Sequence, residues 1–238
     1  PLMLKSRLCI AFFAFAVGCA PAQKPLTDYV NPMLGTATLW DSVDLGFKPT
    51  KRTWGAEVFP GSSLPNAMVQ VSPVTKFHSG AGYQYEDSVI YGFTHTNKGH
   101  WNLCHIPLLP VTGTPTPGDY CSPFSHERES AAPGYYQVFL DRYGVDAQLS
   151  STLRCAFHKY TYPAGAAASL LADLQRSNEH VRAWDIRKEG DNVFAGWQQT
   201  GEKMYFYAVA NRPVTGIEPV VEGDREVRIV RFGEGDGA

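Results

Sequence analysis

The side chains best suited to chemistry are concentrated in residues 91–105, with the sequence YGFTHTNKGHWNLCH. His95, His100 and His105 follow one another at intervals of five residues. Neutral imidazole is a common metal ligand, so the three histidines raise the question of a metal site. Odd spacing alternates faces on a strand, and five residues turn about 500° on a helix, so neither element aligns all three. The spacing therefore disfavours a metal site.

The same segment also carries Asn97, Trp101 and Asn102 among its histidines. Sugars offer hydroxyls to polar side chains and an apolar C–H face to an indole ring. The residue types therefore favour carbohydrate binding over metal binding. A loop with a purely structural role remains the alternative.

A second candidate is the pair Glu127 and Glu129, which flanks Arg128. Glycoside hydrolysis needs two carboxylates across the scissile bond, about 5 to 9.5 Å apart. Two residues on one extended strand give about 6.6 Å with both side chains on the same side. The spacing permits catalysis, although such a pair around an arginine is more often a salt-bridged edge.

Composition limits the classes of protein to which the chain can belong. Of 238 residues, 44% are hydrophobic and 18% are charged, which indicates a globular protein rather than a disordered one. The 22 glycines and 17 prolines favour short strands joined by turns. The formal net charge of −2 provides no cationic field, so we expect no nucleic-acid partner.

Alternating apolar and polar residues predict an all-β fold, an antiparallel β-sandwich formed by one domain over residues 23–238. Turn residues at 141–144 and 189–192 predict two hairpins. The predicted strands are 66–72, 88–94, 135–140, 145–151, 153–162, 167–174, 181–188, 193–200, 204–211 and 227–232.

Residues 1–22 have the pattern of a signal peptide, with two basic residues, the apolar run 8–17 and small residues after it. Cleavage before Gln23 would suit an ordinary signal peptidase. The sequence AVGC, ending at Cys19, instead resembles a lipoprotein signal. Both alternatives stay open. Either one predicts export, to the periplasm or as an outer-membrane lipoprotein of a Gram-negative-type cell.

Eight short motifs follow one another in a recognisable order along residues 28–210. They are Tyr29–Thr36, Phe59–Gly61, Met68–Pro73, Gly82–Tyr83, Gly92–Thr96, Pro110–Gly113, Phe124–Glu127 and Pro133–Tyr136. In this order they resemble the start of glycoside hydrolase family 92, a family of calcium-dependent exo-α-mannosidases. The resemblance implies hydrolysis of terminal α-mannosides of glycans with inversion at the anomeric carbon.

The resemblance also implies how this chain relates to the whole enzyme. In the family a galactose-mutarotase-like β-sandwich packs on a C-terminal (α/α)6 barrel, which carries both catalytic carboxylates and most calcium ligands. We therefore expect a chain truncated before its last strand and the barrel, inactive alone, with no catalytic residue and no metal ligand. We accordingly expect a structural rather than a catalytic role for Glu127 and Glu129.

By position, the resemblance implies a substrate-binding role for six residues on the pocket wall: Phe59, Lys76, His95, Asn97, His100 and Trp101. Two departures from the family pattern leave the linkage preference open. Lys76 stands where the family commonly has arginine, so a point charge replaces a bidentate guanidinium. The stretch 97–102 also differs from the usual small-residue loop.

The expected partners are α-mannoside glycans and the barrel domain of the same polypeptide. A membrane is expected only through a lipid anchor at Cys19. The alternative hypothesis is a stand-alone, lectin-like β-sandwich that binds mannosides without hydrolysing them.

Overall fold

The computed structural model describes residues 24–38, 46, 57–98 and 101–233, with only the backbone at 97 and 98. The predicted signal peptide at 1–22, its Cys19, and His100 lie outside the described residues. Within the described residues no helix has the length and apolarity that a bilayer crossing requires.

The regular secondary structure of the described residues is almost all β, with two short 3-10 helices at Leu26–Tyr29 and His126–Arg128. The strands are β1 Ser62–Ser63, β2 Gln70–Val74, β3 Val89–Ile90, β4 Gly92–Thr94, β5 Asn97–Lys98, β6 Trp101–Asn102, β7 Leu108–Thr112, β8 Ser122–Pro123, β9 Glu129–Ala132, β10 Tyr135–Leu140, β11 Val145–Ser151, β12 Ala156–Thr161, β13 Ala168–Ala172, β14 Ala183–Gly190, β15 Val193–Gln199, β16 Lys203–Val209, β17 Val214–Glu222 and β18 Arg225–Phe232.

The strands form one large sheet with a smaller sheet packed on each of its two faces. A seven-stranded sheet has the order β1-β2-β4-β7-β13-β18-β17. A four-stranded sheet, β12-β11-β10-β9, and a three-stranded sheet, β14-β15-β16, pack against it. Every pairing within these sheets is antiparallel. The predicted antiparallel β-sandwich is therefore confirmed.

Alternation explains why β10 and β11 form where they do. In β10 the side chains of Tyr136, Val138 and Leu140 are buried, while the residues between them are partly exposed. Tyr136 lies in register with Leu149, and Val138 with Ala147, so apolar side chains of both strands share the core face. A shift of one residue would move this set into solvent, which fixes the register. The predicted bounds of both strands are correct.

Prolines account for the largest errors in the strand predictions. The first predicted strand, 66–72, ends before Pro73, whereas β2 begins at Gln70 and contains Pro73. The strand β17 was not predicted, because Gly216 and Pro219 interrupt its pattern. As β17 is at the edge of its sheet, it tolerates a residue that cannot donate a backbone hydrogen bond.

Candidate functional site

Three loops meet beside the seven-stranded sheet: the first loop (75–83), the second loop (95–107) and the third loop (173–182). The strands β4, β7 and β13 are neighbours in the sheet. The second loop follows β4 and the third follows β13, and Leu108, where β7 starts, pairs with Ala172, where β13 ends. Both loops therefore leave the sheet at the same place. The first loop reaches them by crossing over from the end of β2.

Asn178 of the third loop connects all three loops through its side-chain amide. Its Oδ1 accepts a hydrogen bond from the backbone N–H of His78 at 2.6 Å. Its Nδ2 donates to the carbonyl of Ser79 at 3.1 Å and to that of Asn102 at 2.6 Å. The sequence predictions did not include Asn178 among the site residues. Its only sequence signal is a polar Ser-Asn pair shortly after a buried strand.

The hairpin of β5 and β6 holds Trp101 in a fixed place on the surface. Asn102 is fully buried, and its Oδ1 accepts a hydrogen bond from the backbone N–H of Cys104 at 2.8 Å. Its Nδ2 donates to the hydroxyl of Thr94 at 3.2 Å. Because neighbouring residues on a strand point to opposite faces, Trp101 faces outward, where it is 46% exposed. The indole is thus carried by a well-anchored backbone.

Gly82 of the first loop is required at its position for two reasons. Its φ of 76° lies in the left-handed region that favours glycine. A Cβ atom there would also lie 2.6 Å from Nδ2 of Asn102. The first loop can therefore approach the hairpin only with glycine at 82.

His105 lies at the base of the second loop, 3% exposed. Its Nδ1 is 2.8 Å from the hydroxyl of Thr96, and its Nε2 is 3.1 Å from both Glu179 and Thr200. Burial lowers the pKa of His105, and the hydrogen bond and charge of Glu179 oppose this shift in part. Its contacts connect the second and third loops with the turn after β15, so His105 stabilises the base of the site.

His95 forms a pair with His158 of β12. The Nδ1 of His95 is 3.0 Å from the carbonyl of Ile106, so this nitrogen carries the proton. Its Nε2 must then accept a hydrogen bond from the Nε2–H of His158, which is 3.0 Å away. The Nδ1 of His158 in turn accepts from the hydroxyl of Tyr160 at 2.7 Å. One set of tautomers satisfies the whole chain, with both imidazoles neutral.

Burial keeps this pair neutral. It lowers the pKa of His95 to about 4, against the backbone hydrogen bonds of Ile106 and His105. The pKa of His158 lies well below its usual range, because of burial and then repulsion from His95. Since both ring nitrogens of His95 have partners within the fold, this residue can position the second loop.

Of the remaining predicted site residues, Lys76 and Asn97 lie in these loops, and Phe59 lies near β2. Lys76 is exposed on the first loop, and its backbone N–H donates to the carbonyl of Gly82 at 3.2 Å. Asn97 lies in β5, paired in register with Asn102. Phe59 is half-buried and precedes Gly61, where a Cβ atom would lie 2.1 Å from the carbonyl of Val71. The backbone after Phe59 therefore lies directly against β2.

Glu127 and Glu129 do not share a strand. Glu127 is exposed within the second 3-10 helix, whereas Glu129 begins β9 with a side chain that is 1% exposed. The carboxylate of Glu129 accepts hydrogen bonds from Tyr83 at 3.0 Å and Tyr136 at 2.5 Å. Nδ1 of His126 lies 2.5 Å from its other oxygen. This carboxylate thus connects the first loop to the four-stranded sheet.

The described residues do not fit a calcium site. Calcium takes about 6–8 oxygen ligands, usually including several carboxylates. No group of three histidine, cysteine or acidic side chains within the described residues lies close enough together to hold a metal. The buried carboxylate of Glu129 is already enclosed by two tyrosine hydroxyls and a histidine.

The model of the glycosyl hydrolase family 92 N-terminal domain matches residues 29–232. A family GH92 α-mannosidase from Bacteroides thetaiotaomicron is 25% identical with a TM-score of 0.74, over 89% of this chain and 32% of that one. The structure of its complex with mannoimidazole is 25% identical with a TM-score of 0.73, over 89% of this chain and 31% of that one. The family GH92 inverting mannosidase from Bacteroides thetaiotaomicron VPI-5482 is 21% identical with a TM-score of 0.70, over 90% of this chain and 30% of that one. This chain therefore spans about a third of their length. No curated protein matches it.

Proposed function

Because the chain belongs to glycosyl hydrolase family 92, as its N-terminal domain, we propose that it forms one wall of the substrate pocket of an exported exo-α-mannosidase. The reaction is hydrolysis of terminal α-mannosides of glycans with inversion. The general acid and base belong to a C-terminal (α/α)6 barrel domain of the same polypeptide. The 238-residue chain alone is then inactive. The similarity to two structures described as α-mannosidases supports the proposal.

The observation that carries the proposal is the exposed Trp101 on an anchored hairpin. An indole ring offers a flat apolar surface for the C–H face of a sugar. The indole contributes more to the binding free energy when it is already ordered in the free protein, since an ordered side chain loses less entropy on binding. Asn102 and Asn178 provide that order through hydrogen bonds to the backbone of all three loops.

The other pocket-wall residues have separate roles in this proposal. Lys76, exposed on the first loop, donates a hydrogen bond to a sugar hydroxyl. His95 orients the second loop through its half-buried pair with His158. Phe59, Asn97 and His100 complete the wall, as the family resemblance implies.

Exposed apolar side chains beside the site support a barrel partner. Met68 is 69% exposed, and Leu153 is 54% exposed. The N–H of Met68 donates to the carbonyl of Leu153, so these two residues are neighbours. Met68 is close in sequence to Gln70, whose N–H bonds the carbonyl of His95 in the second loop. Exposed apolar patches of this kind mark interfaces, and here the barrel domain would cover them.

Two further parts of the proposal come from the sequence. The pattern of residues 1–22 supports export, with a lipid anchor at Cys19 as one of its two forms. Calcium is assigned to the barrel domain, as the family resemblance implies.

The test compares the 238-residue chain with the longer polypeptide encoded by the extended reading frame. Both are assayed for hydrolysis of an aryl α-mannoside and of mannobioses. We expect activity from the longer protein alone, and hydrolysis by the short chain would contradict the proposal. A reading frame that encodes no barrel, together with calorimetric binding of mannobiose to the short chain, would instead support the lectin-like alternative.

A further inference from the structure

The outer face of the three-stranded sheet carries aromatic side chains that the core does not use. Tyr205 and Tyr207 lie two residues apart on β16 and are 71% and 69% exposed. Trp197 of β15 lies in register with Tyr205. Alternation puts these three rings on one face, while Phe194 and Phe206 point to the core on the other. Packing of the hydrophobic core therefore does not explain why three aromatic rings lie on the outer face.

These rings border a groove of about 450 Å³. Its lining residues include Arg187, Glu189, Ala195, Trp197, Tyr205 and Tyr207. The small side chain of Ala195 forms the floor of the groove, between Tyr207 on one side and Arg187 on the other. The volume lies within the range of about 300–1,000 Å³ found for small-ligand sites. Side chains two residues apart on a strand are separated by about 6.8 Å, so an elongated ligand can contact both tyrosines.

The charged side chains around the groove neutralise one another. Arg187 binds Glu189 at 2.6 Å and Asp185 at 3.5 Å. The ammonium of Lys203 lies 3.6 Å from the centre of the Trp197 ring. An anionic ligand would have to displace a carboxylate from Arg187, and a cationic one would meet Lys203. A neutral ligand is therefore favoured.

A neutral, elongated ligand with apolar faces and many hydroxyl groups is an oligosaccharide. Exposed rings accept its C–H faces, while tyrosine hydroxyls and carboxylates bond its hydroxyls. Lysine, glutamate and aspartate are depleted at the centres of protein interfaces, yet all three border this groove. We propose that this groove is a second carbohydrate-binding site, which holds a neutral glycan chain on Trp197, Tyr205 and Tyr207.

This site is independent of the proposed hydrolytic role, because none of its residues belongs to the three loops. The test is electrophoresis of the full 238-residue chain in native gels that contain α-mannan or dextran, both neutral polysaccharides. We expect at least one of them to retard the chain. The double variant Tyr205→Ala/Tyr207→Ala should raise the apparent dissociation constant about tenfold, through loss of two ring contacts.

A matched control separates this groove from the rest of the surface. Phe157→Ala removes another exposed ring, on β12, which is 64% exposed and outside the groove. It should be retarded like the wild type. Melting temperatures establish that each variant folds, and the single variant Tyr207→Ala gives a second measurement at the groove.

Three results would overturn the proposal. The first is a wild-type chain that neither polysaccharide retards. The second is a double variant that is retarded as strongly as the wild type. The third is a wild-type dimer that the double variant converts to a monomer without any effect of polysaccharide, which would make this face a protein interface.

Discussion

The replacement Asn178→Ala tests whether one side chain holds the three loops together. The variant loses three hydrogen bonds, to the backbone of His78, Ser79 and Asn102. At about 1 kcal/mol for each bond, the free energy of unfolding should fall by about 3 kcal/mol. For a chain of this size, about 2–4 °C per kcal/mol predicts a fall in melting temperature of about 6–12 °C. Calorimetry measures this fall directly.

The matched control is Asn192→Ala, which loses one hydrogen bond, from Nδ2 to the carbonyl of Ala210 in a hairpin turn. Its melting temperature should fall by about 2–4 °C. Hydrogen exchange gives a second measurement. The amide of His78 should exchange faster in Asn178→Ala than in the wild type, and its exchange rate should be unchanged in the control. If both variants lost the same stability, or the His78 amide stayed protected, Asn178 would not be the connection between the loops.

Three further outcomes are expected. In the longer polypeptide, Trp101→Ala should reduce hydrolysis of a mannobiose more than that of an aryl mannoside, because we propose that the indole contacts the leaving sugar; equal losses would refute that placement. Gly82→Ala should lower the melting temperature by several degrees, since its φ of 76° costs about 1–2 kcal/mol and its new methyl would meet Asn102; an unchanged value would contradict this. The free energy of unfolding should fall as the pH drops from about 6.5 toward 4, because the unfolded chain binds protons at His95 and His158 that the folded chain excludes. Urea unfolding at several pH values measures this slope, which should be shallower in His158→Gln.

Strands with clear alternation could be predicted from the sequence almost to the residue. The bounds of β10 and β11 matched, because each strand has one buried and one solvent face. Strands with proline gave no such pattern. β7 contains Pro110 and its side chains are buried on both faces, so its sequence does not alternate and it was not predicted as a strand.

The candidate site was predictable only in part. The residue types of the second loop indicated a sugar site, and the structure places Trp101 on its surface. Asn178 was missed, because its partners His78 and Asn102 are 100 and 76 residues away in the chain. A buried hydrogen bond over such separations leaves no local pattern in the sequence.

The sequence by itself determined the all-β class, the order of motifs that resembles family 92 and the polar, aromatic segment that carries Trp101. Alternation and turn residues act over a few positions, so they can be seen in one dimension. Only the tertiary structure decided that His95 is paired with His158, that Glu129 is enclosed by tyrosines, and that two tyrosines share a groove with Trp197. Each of these depends on which strands and loops become neighbours. The energy that selects those neighbours comes from burial across the whole sandwich rather than from any single segment.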